Sequence, residues 1–70
     1  MNSYENLANA IILSAVNDYR EVLKELSYFP EDEKALQKKQ SCERFFRSSW
    51  FGALTTIDSE KLISKLQQEA

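Results

Sequence analysis

Between Ser3 and Ser27 the apolar residues Tyr4, Ala8, Ile12, Ala15, Tyr19, Val22 and Leu26 return at steps of three and four. That spacing follows the turn of an α-helix and puts them on one face, widened by Ile11 and Leu23. Asn6, Asn17, Arg20, Glu21 and Lys24 fall on the other side. Ser3 suits the N-cap, with Glu5 and Asn6 in the first turn. The result is an amphipathic rod of about seven turns. Such a rod must bury its stripe against something, which governs how the rest of the chain folds.

Tyr28-Phe29-Pro30 ends the rod, because proline cannot continue a helix and disfavours helical backbone at the residue before it. Pro30 fits the first position of a second helix, and Glu31, Asp32 and Glu33 bring carboxylates to its positive end. That helix is expected over 30–54, with Ala35, Cys42, Phe46, Ser49 and Ala53 as its inner stripe, flanked by Phe45 and Trp50. Gly52 either caps it or lies inside it. Thr55-Thr56-Ile57 reads as a connection, and Asp58 as the N-cap of a final helix over 58–68 with Leu62, Ile63 and Leu66 facing inward. The expectation is all-α: an antiparallel hairpin of two long helices, 3–27 and 30–54, plus a shorter C-terminal helix, one domain over 1–70. Its core should be rich near the chain termini and thin near the hairpin turn.

The inventory argues against catalysis. The 70 residues contain no histidine, which removes the commonest general base and metal ligand. With Cys42 the single thiol, neither a disulfide nor a tetrahedral zinc site can be built, and Cys42 reads as a small apolar group in a reducing compartment. Ser41, Ser48 and Ser49 lack an imidazole to activate them, and one glycine cannot make a phosphate loop. No enzyme, metal or cofactor is therefore expected. The apolar run from Leu7 to Val16 is too short to span a bilayer, and nothing basic precedes it as in a signal peptide. A cytoplasmic protein is expected.

Two surfaces stand out. Lys34, Lys38, Lys39, Arg44 and Arg47 oppose Glu43 alone in their stretch, beside Phe45, Phe46, Trp50 and Phe51; that mixture can bind single-stranded nucleic acid. A net charge of −2 weighs against it. On a continuous second helix Arg44, Arg47 and Phe51 lie away from the inner stripe. If the third helix leaves Phe51 open, this trio has the chemistry of an interface hot spot. Leu13 points to the polar side of the first helix, where with Val16 and Tyr28 it would make a small docking or dimer patch. The partner-binding candidates are thus Arg44, Arg47, Phe51, Lys38, Lys39 and Leu13.

The segment Glu43-Arg44-Phe45-Phe46-Arg47-Ser48-Ser49-Trp50-Phe51, with Leu54-Thr55, Ile57-Asp58, the run Ala10 to Leu23 and the tail Leu62 to Leu66, carries a resemblance. It resembles short helical proteins, of no settled activity, encoded by phages, prophages and mobile elements of Gram-positive bacteria. The likeness spans most of the chain and is weakest over Pro30 to Gln40. It implies a regulator or inhibitor that works by binding a host or phage protein, anti-defence factors among them. The alternatives are a nucleic-acid-binding regulator using the basic second helix, and a structural homodimer.

Overall fold

The computed structural model of the protein describes residues 3–69, with side chains from residue 7 onward. It contains the helices α1 (Ser3–Tyr28), α2 (Glu33–Phe46), α3 (Ser49–Leu54) and α4 (Ser59–Glu69), with no strand among the described residues. The all-α bundle expected from periodicity is present, but the second long helix is two helices. Tyr4 and the expected N-terminal cap of Ser3, Glu5 and Asn6 lie outside the described side chains.

At 1.5 Å per residue α1 is about 39 Å long, nearly the whole 42 Å long axis of the molecule. Its end is a turn: the Asp32 amide donates to the Phe29 carbonyl at 3.1 Å, with Pro30 in the second turn position that its fixed φ favours. Pro30 therefore belongs to the turn and not to the first position of α2. Asp32 is the N-cap, its carboxylate accepting from the amides of Lys34 at 3.0 Å and Ala35 at 3.2 Å. The cap's carboxyl group is held below the usual aspartate range, foremost by the Ala35 amide. Of the three acidic residues, Glu33 alone lies within the first turn of α2.

The division of the second helix comes from Ser48. Its backbone is extended (φ −76°, ψ 157°). Its hydroxyl donates to the Phe45 carbonyl at 2.6 Å and accepts from the Phe51 amide at 3.3 Å. One side chain thus closes α2 and caps α3, the local competition with helical bonding that serine performs well. The consequence is rotational. On an unbroken helix Phe51 would sit about 140° around from Phe46, and Trp50 only about 40°. With the break, Phe46 and Phe51 are both 1% exposed while Trp50 is 64% exposed. The expected phase of this region is corrected accordingly: Phe51 is core, Trp50 is surface, and Ser49 and Ala53 are exposed. Gly52 lies inside α3 with negative φ, so it does not act as a left-handed cap.

Asp58 caps α4 as expected, accepting from the amides of Glu60 at 3.0 Å and Lys61 at 3.3 Å. α4 packs on α1 and α2. All four helices feed one cluster: Ile12, Val16 and Tyr19 from α1, Phe46 from α2, Phe51 from α3, Ile63 and Leu66 from α4. Its rings meet edge to face, Tyr19 on Phe46 at 5.7 Å between centroids and Phe46 on Phe51 at 5.6 Å, the arrangement that the ring quadrupoles favour. Towards the turn, Val22 and Ala35 are the buried residues that stand outside this cluster. The core is thus thinner at that end, as the sequence implies.

Phe51→Ala removes a fully enclosed ring and should cost roughly 3–5 kcal/mol, enough to unfold most of so small a domain. Trp50→Ala should stay within about 0.5 kcal/mol, as surface changes do. Urea midpoints of the two variants distinguish this order from its reverse. Gly52→Ala should raise stability by about 0.5–1 kcal/mol, because a methyl group there meets nothing within 4 Å; thermal melts read that gain directly.

Candidate protein-docking surface

The Ser48 break swings Trp50 out beside the N-terminal half of α1. There it lines a hollow with Leu7, Ala8, Asn9, Ile11, Ala53 and Leu54. A second hollow shares Trp50 and Ile11 and adds Phe45, Ser41, Arg44 and Ser48. A third continues from Ile11 and Phe45 to Ala10, Ser14, Ala15 and Asp18. Together they form one shallow trough between α1 on one wall and α2 and α3 on the other. No residue of α4 lines it.

The floor is apolar and half-buried at Ile11, Phe45 and Leu54, while Leu7 and Trp50 are exposed by 61% and 64%. The rim is mostly uncharged, with Asn9, Ser14, Ser41 and Ser48. Among the described residues its two charges are Arg44 and Asp18, and neither makes an ion pair there. Cys42 is half-buried and packs against the core cluster. Burial first, and then the Asp18 carboxylate, pushes its thiol pKa up, so it is a poor nucleophile. The trough offers water-averse contact area flanked by opposite charges. Among the described residues no group of three or more cysteines and carboxylates is placed to hold a metal, and no helix is long and apolar enough to cross a membrane.

The six sequence candidates do not gather here. Phe51 is enclosed in the core, so it cannot serve as an exposed hot-spot aromatic. Arg47 grips Glu60 of α4 through two nitrogens, at 2.6 and 3.2 Å, which joins the end of α2 to α4. The Glu60 carboxylate raises the Arg47 pKa and is itself lowered by it. The Glu43–Arg47 pair, one turn apart on the chain, is longer, at 3.9 Å. Lys39 bonds Glu43 at 3.1 Å, whereas Lys38 and Arg44 are exposed without an ion pair among the described residues. Two of the five cations from Lys34 to Arg47 are thereby committed inside the molecule. Leu13 is 60% exposed but lines no part of the trough. Its supposed neighbours fail it: Val16 is only 8% exposed, and Tyr28 is about 22 Å further along the helix. Arg44 is the one candidate that the trough includes.

Behind the trough, a polar chain ties three helices together. The Tyr19 hydroxyl donates to Glu43 at 2.6 Å and accepts from the Gln67 amide nitrogen at 3.1 Å. Burial, and next the bond to Glu43, pushes the Tyr19 pKa up to about 12. Burial would raise the Glu43 pKa, but the bonds from Tyr19 and Lys39 outweigh it and the carboxylate is held low. Periodicity puts Tyr19 in the α1 stripe but carries no sign of its hydroxyl's role. Glu43 lies one turn from both Lys39 and Arg47 on α2, and its bond to Tyr19 is fixed only by the tertiary fold.

Tyr19→Phe keeps the ring and deletes the bridge, so it should cost on the order of 1 kcal/mol at neutral pH. The raised pKa supplies a sign. The neutral hydroxyl is favoured in the folded state, so its contribution is whole below the unfolded value of 10.0 and is lost as pH climbs towards about 12. The stability difference between the native chain and Tyr19→Phe should shrink across that alkaline window, as urea titrations at successive pH values would show. A constant difference would contradict the assignment.

No protein-family model matches this chain, and neither the curated proteins nor the solved structures contain a significant match to it.

Proposed function

We propose that this chain is a non-catalytic interaction module that docks a protein in the trough between α1 and α2–α3. The observation that carries the reading is the convergence of Trp50 and Leu7, both more than 60% exposed, on a continuous apolar floor. Tryptophan is enriched at hot spots because its large ring buries much area while fixing few torsions. A trough between antiparallel helices suits an amphipathic helix, whose apolar face takes the place of the missing neighbour. The absence of histidine and of a metal-binding cluster among the described residues supports a docking role over turnover. With the likeness to small proteins of mobile elements, this favours a cytoplasmic regulator or inhibitor of a host or phage factor. The nucleic-acid reading has less behind it, since Glu43 and Glu60 engage two of the five cations it would use.

Immobilised native chain, Trp50→Arg and Leu13→Ser should be compared as baits in the lysate of a Gram-positive bacterium. A genuine partner should be kept by the native chain and by Leu13→Ser, and lost with Trp50→Arg by about thirtyfold or more, the scale of a hot-spot residue. Identical retained proteins on the native chain and Trp50→Arg would refute the trough as the docking site.

A further inference from the structure

We infer that the trough is self-complementary and is covered by a second copy of this chain, which must leave before any other protein can dock. This rests on the reading of the trough as a docking surface and adds how access to it is regulated. The argument begins with charge. Asp18 and Arg44 lie on opposite walls of the trough, and both border the Ile11–Phe45 centre. In a two-fold pairing, if one residue meets a second, the second also meets the first across the interface. A two-fold axis near that centre, lying in the interface, allows each Arg44 to meet the other copy's Asp18. The same pairing covers Trp50 and Leu7, which line the trough. No like charges line the trough among the described residues, and a net charge of −2 per copy opposes association only weakly.

Area points the same way. A stable pairing covers roughly 800 Å² per partner, which is about 15% of this chain's 5459 Å² surface. The face that carries the trough belongs to a body of 42 × 20 × 19 Å and is large enough for this.

The test is the mass of the intact chain by sedimentation equilibrium between about 1 μM and about 1 mM, a range that brackets weak interfaces of this size. Fluorescence of Trp50, the sole tryptophan, is followed in parallel. The mass should rise towards twice 8.1 kDa with concentration while Trp50 emission shifts to the blue. Trp50→Asp should weaken pairing at least about tenfold, and Ile57→Asp, an exposed site away from the trough, should not. Arg44→Asp and Asp18→Arg should each weaken it about tenfold or more by opposing like charges, and the double reversal should restore it. Circular dichroism verifies that each variant is folded. A constant 8.1 kDa, pairing that survives Trp50→Asp, or a double reversal that fails to restore it would overturn the inference. The lysate comparison stands apart: a chain monomeric throughout that still loses a partner with Trp50→Arg keeps its docking site and has no self-pairing.

Discussion

The hydroxyl of Ser48 decides which aromatic residues this protein hides. By bonding the Phe45 carbonyl and receiving the Phe51 amide, it stops one helix and starts another within two residues. A hydrogen bond of this kind contributes only about 1 kcal/mol. Its leverage is geometric: it changes the phase of everything after it by more than a third of a turn. Phe51 rotates in to meet Phe46, and Trp50 rotates out. The core's third ring and the trough's exposed indole are two results of the same cap.

A core built this way is small, and the polar chain through Tyr19 complements it. Tyr19 is fully enclosed and stacks its ring edge against Phe46, so its hydroxyl needs partners or would carry a desolvation penalty. Glu43 and Gln67 provide them from different helices. The bonds have directions, whereas apolar contact does not, so they fix how α4 lies along the hairpin. The Arg47–Glu60 clasp adds a second point at the other end of α4, although exposed pairs contribute little energy. Orientation, more than strength, is what these contacts supply.

Periodicity made much of this legible. The α1 stripe, the thin turn end, the Asp58 cap and the inward Leu66 all follow from spacing and local chemistry. Two local cues were available and were outweighed. Asp32 is as good a cap as Pro30 is a first residue, and the fold uses Asp32, leaving proline to the turn. Ser48-Ser49 between Arg47 and Trp50 is a helix-start signature hidden inside an apolar run long enough to read as continuous. A helix continuous through Ser48 would turn Phe51 outward beside Arg44 and Arg47, whereas the break turns it into the core. Leu7 and Ile11 belong to the periodic segment, but their place beside Trp50 depends on tertiary packing.

The position of the trough also follows from helix lengths. α4 has 11 residues, about 16 Å, and lies on one flank of a hairpin whose first helix is about 39 Å long. A third element of this size covers one side, so the other flank meets water or another molecule. Near the turn that flank needs no cover, because buried Ala35 keeps the helices close and Lys34 and Lys38 are exposed there. Near the termini the same flank carries Ile11, Phe45 and Trp50, side chains that no fourth long helix encloses. The apolar opening is therefore a by-product of a bundle with one helix too few.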